Sequence, residues 1–186
     1  ISGGAARGIT LNTPKGNRLR PASETARERL FSSIGSLVSG ASFLDLFAGT
    51  GAYGLEALSR GATSGAFVEM DRRTVDCLHR NLAAVCKSAG TNAEDFQVME
   101  GDALKVRPPH PSPFDLVFLD PPYPILEKIA DKLFARLRED QLSSADTLVA
   151  LELPGEIDLV PEGWRLARRL GKRRKGSPSH ALFQMA

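Results

Sequence analysis

The sequence predicts an α/β protein: a mostly parallel sheet with helices on both faces and a C-terminal antiparallel hairpin. Three observations carry this. Short apolar runs of strand length alternate with segments whose apolar residues recur at helical spacing, as βαβ units require. A glycine-rich turn, Gly49-Thr-Gly-Ala-Tyr-Gly54, follows the first of the strongly apolar runs at once. After Pro154 the alternation stops, and two strand-length runs flank a basic loop.

Each element follows from its own pattern. The stretch Ile1–Pro21 is rich in Gly, Arg and Pro, and Ile9 and Leu11 alternate with polar neighbours, which predicts a short β-arm. Ala26, Leu30, Phe31, Ile34, Leu37 and Val38 fall at helical spacing behind Ser23, a suitable N-cap. Ser42–Phe47 is the first apolar strand, and Ala52–Ser59 a helix ended by Gly61. Gly65–Met70 is a buried strand. Arg72–Lys87 is a helix with Val75, Leu78, Leu82 and Val85 on one face. Phe96–Met99, Phe114–Leu119 and Thr147–Glu152 read as further strands, with a helix over Leu126–Leu137. Trp164–Leu170 and His180–Met185 form the expected hairpin around the loop Gly171–Ser179. The whole is expected as one domain over 1–186, an arm and helix in 1–38 preceding a core in 39–186.

Bulk properties narrow the function. The 186 residues are 42% hydrophobic and 25% charged, ordinary for a soluble globular protein. No apolar run is long enough to span a bilayer, and no signal segment is visible. Cys77 and Cys86 lack CxxC pairing, and His79, His110 and His180 have no metal spacing. Reduced thiols, no metal, no membrane and a cytoplasmic location are the expectations. The net charge of +2 hides an asymmetry. Residues 1–29 carry six basic side chains and two acids, residues 165–186 seven basics and no acid, and the middle is acidic. Basic ends suit a phosphate backbone, though they equally serve solubility.

Residues 49–54 satisfy G-x-G-x-x-G, and Glu69 stands where a ribose-binding acid should follow, so a nicotinamide dinucleotide is admissible on this motif alone. Two features favour S-adenosyl-L-methionine. Asp45, at the end of the strand, repels a pyrophosphate but suits a ligand with an ammonium and a sulfonium. Gly101-Asp102-Ala103 offers an acid that can accept from an adenine amino group, although Asp102 also fits a plain strand-end cap. The expected cofactor set is Asp45, Phe47, Ala48, Gly49, Thr50, Gly51, Glu69, Met70, Asp102 and Ala103.

The stretch Asp120-Pro121-Pro122-Tyr123 is the most informative. An exocyclic amine on a base is a poor nucleophile because its lone pair is delocalised into the ring. Two acceptors that bind its two N–H groups can free that lone pair: the Asp120 carboxylate and the Pro121 carbonyl. Consecutive prolines hold that carbonyl and leave no competing N–H at Pro121 or Pro122. Tyr123 can stack on the flat target. These four residues are the expected catalytic set. No nucleophile elbow or Walker loop appears.

With these motifs in view, the chain resembles class I Rossmann-like methyltransferases. More narrowly it resembles the bacterial small-subunit (16S) ribosomal RNA guanine-N2 methyltransferase family. The resemblance rests on Asp45-Leu-Phe-Ala-Gly-Thr-Gly51, Glu69, Asp102 and Asp120-Pro-Pro-Tyr123, on the arm with Arg7-Gly8 and Arg20-Pro21, on Arg27-Glu28, and on the stretch Leu55–Ala62. It implies methylation of a guanine N2 in 16S rRNA, in the small subunit or its assembly intermediate; a monomer is expected. It implies RNA contacts by Arg7, Arg20 and Arg27, to which the basic loop adds Arg173, Arg174 and Lys175. Where the family has threonine and arginine, this chain has Ala22 and Thr25, and Lys175-Gly176-Ser177-Pro178 replaces a Tyr-Gly-x-Thr. The competing readings are a DNA adenine-N6 or cytosine-N4 methyltransferase, which needs a target-recognition domain for which the chain has no spare length, and a non-catalytic RNA-binding module, which predicts a damaged loop or clamp.

Overall fold

The computed structural model describes residues 1–14, 24–108 and 113–186. Among the described residues seven strands form one sheet: β1 (Ser42–Leu46), β2 (Ser64–Glu69), β3 (Phe96–Glu100), β4 (Leu116–Leu119), β5 (Leu148–Pro154), β6 (Trp164–Leu170) and β7 (Pro178–Met185). Their order is β3-β2-β1-β4-β5-β7-β6. The first five are parallel, and β7 runs antiparallel to both β5 and β6. This is the mostly parallel sheet with a terminal hairpin that the alternation predicts. The helices are α1 (Glu24–Ile34), α2 (Ala52–Ser59), α3 (Arg72–Ala89) and α4 (Tyr123–Glu139). None of the described helices is long and apolar enough to cross a membrane.

The period of two along each strand sorts its side chains between two cores. Phe43, Phe67, Phe96, Phe118, Ala150 and Leu182 face α1, α2 and α3. Leu44, Leu46, Val68, Val117, Leu119, Leu151 and Phe183 face α4. Aromatic rings fill the first core, with Phe43 and Phe67 edge to face at 5.1 Å and 78°, and Phe43 and Phe96 stacked at 6.0 Å. Sequence order along the sheet reverses between β1 and β4, the place where open α/β sheets bind ligands.

Local signals explain the boundaries. Asp71 caps α3 by accepting from Thr74 N–H at 2.8 Å, and Gly90, at φ 69°, ends it. Cys77 and Cys86 are free thiols buried along α3. α1 stops at Ile34 and continues as a 3-10 turn to Leu37, shorter than its apolar spacing predicts. Ser23, its expected cap, lies outside the described residues.

The expected N-terminal β-arm, of which residues 15–21 lie outside the described residues, is corrected over residues 1–14: these form turns and coil with no strand. Their hydrogen bonds explain why: Gly8 N–H donates to Ile1 and Ala5 N–H to the Ser59 carbonyl, while Ser2 and Gly3 donate to the Glu56 carboxylate. These bonds go to the arm's own turn and to α2, and Asn12 bonds Asn81 on α3, so the arm is held by helices rather than by a sheet edge.

Candidate active site

Polar residues stand where the apolar α1–α3 face reaches the carboxyl ends of the strands. Asp45 follows Phe43 on β1, Glu69 follows Phe67 on β2, and Asp120 follows Phe118 just beyond β4. Glu152 follows Ala150 on β5, and the neighbouring His180 shares the parity of Leu182. Register orders them: Asp45 pairs with Phe67 and Phe118, two residues below Glu69 and Asp120. Leu46 pairs with Leu119 and Leu119 with Leu151, so Asp120 and Glu152 sit at one level at the top of adjacent strands.

The glycine loop links β1 to α2. Gly49 and Gly51 both have positive φ, 57° and 93°, which only glycine adopts without strain. Phe47 also lies at φ 70°, a costly conformation for an aromatic residue. No sequence signal marked it as strained. A Cβ on Gly49 would meet nothing within 4 Å, so this backbone is open to a ligand on one side. Glu69 Oε2 accepts from Gly49 N–H at 2.9 Å and Oε1 from Asp71 N–H at 2.8 Å. The carboxylate expected to hold a ribose therefore also holds the loop. Asn81, buried on α3, donates to the Thr50 carbonyl at 2.9 Å and accepts from Asn12 N–H at 2.8 Å. It ties the arm to the loop, a role that spacing alone did not reveal.

Asp45 is buried, and its Oδ2 accepts from Gly54 N–H at 2.9 Å. Its Oδ1 has no partner among the described residues. Burial pushes this carboxyl up to about 7, with the Gly54 hydrogen bond opposing and the Glu69 charge adding. A buried acceptor with an unused oxygen is matched by a cationic ligand group. Met70 is 72% exposed, an apolar surface beside Glu69. Asp102 Oδ1 accepts from Leu104 N–H at 2.9 Å, the strand-end cap, and its Oδ2 lies 3.5 Å from Lys105 Nζ. Ala103 is buried beneath it.

The Asp-Pro-Pro-Tyr segment carries the chain over the sheet edge into α4. Pro121 is buried and Pro122 is exposed. Ile125 N–H donates to the Pro122 carbonyl at 3.0 Å, which starts the helix at Tyr123 rather than at Leu126. Tyr123 is half-buried, and its hydroxyl donates to Glu152 Oε1 at 3.0 Å. Tyr53 donates to Glu152 Oε2 and lies 2.8 Å from His180 Nε2. Glu152, Tyr53 and His180 form a buried polar cluster against the clamp. In the sequence Glu152 is visible only as the acid that ends the strand predicted over Thr147–Glu152.

The expected RNA contacts divide. Arg7, Arg174 and Lys175 are exposed. Arg173 is exposed and paired with Asp158 at 2.9 Å. Arg20 lies outside the described residues. Arg27 is corrected: it is buried, with Nε 3.4 Å from Glu56 Oε2, because α1 turns that face onto α2. The hairpin adds Arg165 and Arg168, exposed on the strand expected over Trp164–Leu170.

Comparison with known proteins bears on this geometry. A family model described as conserved hypothetical protein 95 matches residues 1–184. The chain is 34% identical over 186 residues to the ribosomal RNA small subunit methyltransferase D of Escherichia coli K12, covering 99% of this chain and 88% of that protein. It is 32% identical over 185 residues to the protein of that name from Haemophilus influenzae, covering 99% and 92%. Among solved structures, yhhF of Escherichia coli superposes with a TM-score of 0.79 at 30% identity, covering 100% of this chain and 96% of that one. An RNA methyltransferase from Salinibacter ruber in complex with S-adenosyl-L-homocysteine, at 19% identity and TM-score 0.64, shares the fold, covering 89% and 93%.

Proposed function

We infer the function from one premise: the chain belongs to the conserved hypothetical protein 95 family. It is an S-adenosyl-L-methionine-dependent methyltransferase of ribosomal RNA. Its target is the exocyclic N2 amine of a guanine in the 16S rRNA of the small subunit, assembled or assembling.

The observation that carries this reading is the row Asp45, Glu69 and Asp120 at the top of one sheet face, beside an open glycine loop. The cofactor supplies an electrophilic methyl group on a sulfonium. Asp45, Glu69, Met70, Asp102 and the backbone of Phe47–Gly51 would hold it, and the partnerless Asp45 oxygen and the open Gly49 edge fit that role. Asp120 and the Pro121 carbonyl accept from the guanine amine and release its lone pair, while Tyr123 stacks on the base. Orientation and fixed acceptors carry the rate, and the proton that the amine sheds on methylation leaves along its hydrogen bond to Asp120 and on to solvent. Arg7, Arg174 and Lys175 meet RNA phosphates without reading sequence.

The test is tritiated methyl transfer to small subunits, free rRNA and DNA from a strain lacking the enzyme, followed by nucleoside analysis. N2-methylguanosine in 16S rRNA is expected; label in another nucleoside overturns the guanine reading. Asp120→Ala should abolish transfer and keep S-adenosyl-L-homocysteine binding, and an active variant overturns the clamp.

A further inference from the structure

The cluster around Glu152 links the two halves of the site. Tyr53 stands in the first turn of α2, directly after the glycine loop, and its ring stacks on Phe118 with centroids 5.8 Å apart at 20°. His180 on β7 meets the same ring edge-on at 5.6 Å. Tyr123 opens α4 at the end of the clamp. Glu152 lies between them and accepts one phenol on each oxygen.

The proton inventory requires a carboxylate there. His180 Nδ1 is buried with no partner among the described residues. A buried N–H without an acceptor is costly, so the ring proton sits on Nε2 and donates to the Tyr53 oxygen. Tyr53 must then donate onward to Glu152 Oε2, and Tyr123 donates to Oε1. The chain runs from His180 through Tyr53 to Glu152, and Tyr123 closes it from the other side. An amide at position 152 would offer one acceptor where two phenols donate, and one of them would lose its bond.

We propose that Glu152 is a positioning residue for methyl transfer: its carboxylate, held by Tyr53, fixes where the Tyr123 ring stands against the target base. This rests on the reading of Tyr123 as the stacking residue. Pro121 and Pro122 set the backbone of Tyr123, and Glu152 sets its phenol end. The ring is anchored at both ends before the base arrives. Because Tyr53 belongs to the helix that follows the glycine loop, the same carboxylate keeps clamp and cofactor loop in register.

The chain holds two tyrosines, both bonded to Glu152, so tyrosine labelled with 13C at Cζ reports the cluster with two signals. These are compared in wild type and Glu152→Gln, alongside S-adenosyl-L-homocysteine affinity and steady-state methylation of small subunits by Glu152→Gln, Tyr123→Phe and the double variant. Glu152→Gln should move both signals and leave product affinity nearly unchanged. It should lower kcat by roughly 10- to 100-fold, the cost of a misplaced reacting partner. The double variant should be no slower than the slower single one, because both remove one interaction. An unmoved Tyr123 signal, an unchanged kcat or additive losses overturn the proposal. If Glu152→Gln does not fold, Tyr123→Phe alone must reproduce the kcat loss at unchanged product affinity, and full activity there overturns it. A wild type inactive on small subunits overturns the methylation reading as well; an active wild type matched by its Glu152 variant overturns only this inference.

Discussion

The backbone N–H of Gly54 donates to Asp45 Oδ2 at 2.9 Å, while Asp45 Oδ1 is buried without a partner among the described residues. Burial raises this carboxyl to about 7, so near neutral pH the site is poised between two charge states. A cationic ligand favours the ionised one. Binding of S-adenosyl-L-methionine is therefore expected to expel about one proton near pH 6, and its affinity should climb as pH rises towards 7 and level off above it. Calorimetry in buffers of different ionisation enthalpy measures the released proton directly. Asp45→Asn should bind more weakly and release none; an unchanged proton count in that variant removes Asp45 from the cofactor site.

The same shift affects stability, and His180 opposes it. Asp45 holds more protons folded than unfolded between about pH 4 and 7, so its contribution is full at low pH and lost as pH rises through its folded value. His180, pushed by burial down to about 3 from 6.5, holds fewer protons folded than unfolded across that interval. Its contribution is present above 6.5 and lost as pH falls. Each shift corresponds to something on the order of 4 kcal/mol, and between about pH 4 and 6.5 the two slopes largely cancel. Urea unfolding across this range should show Asp45→Asn losing stability more steeply on acidification than wild type. His180→Gln should tilt the other way. Parallel curves for all three proteins would contradict both assignments.

The glycines of the G-x-G-x-x-G run separate into two jobs. A Cβ on Gly54 would lie 2.3 Å from Phe67 Cε1 and 2.6 Å from Phe43 Cε2, rings locked in the first core. Gly54→Ala should lower stability by about 1–3 kcal/mol as overpacking does, with cofactor affinity retained in the folded fraction. Gly49 has open space around it, so Gly49→Ala should cost about 1 kcal/mol of left-handed strain while weakening cofactor binding more than it weakens the fold. Thermal melts with and without S-adenosyl-L-homocysteine separate the two, and a Gly49 variant with wild-type affinity would take the ligand off that edge.

How far the sequence carried this picture depends on the range of the interactions. Runs such as Phe114–Leu119 announce strands because period and apolarity are local, and the glycine loop and Asp-Pro-Pro-Tyr are contiguous, so their chemistry is readable in place. Glu152, Asn81 and Glu56 act across the chain: Glu152 meets Tyr53 and Tyr123, Asn81 meets Asn12, and Glu56 meets Ser2 and Arg27. No local spacing encodes such partners. Alternation at Ile9 and Leu11 suggested a strand because two residues fit a period of two by chance, whereas the arm's hydrogen bonds run to its own turn, to α2 and to Asn81 on α3.

The last consequence concerns the arginines. Glu56 is fully buried and accepts from Ser2, Gly3, Arg27 and Arg60; burial pushes its carboxyl up, but the Ser2 and Arg60 bonds outweigh it and hold the carboxyl below the usual range. Glu56→Ala would strand Arg27 in the core and free the arm, a loss of about 3 kcal/mol or more. Faster proteolysis within residues 1–14 should accompany it. Arg27→Ala should lower the melting temperature while the salt dependence of small-subunit binding stays as in wild type. Arg174→Glu with Lys175→Glu should do the reverse: an unchanged melting temperature, weaker binding, and a log-affinity slope against log salt flatter by roughly one for each phosphate contact removed. Filter binding across a salt series distinguishes the two classes. A flattened slope for Arg27→Ala would return that residue to the RNA surface, and an unaltered slope for the loop variant would leave its charges to solubility.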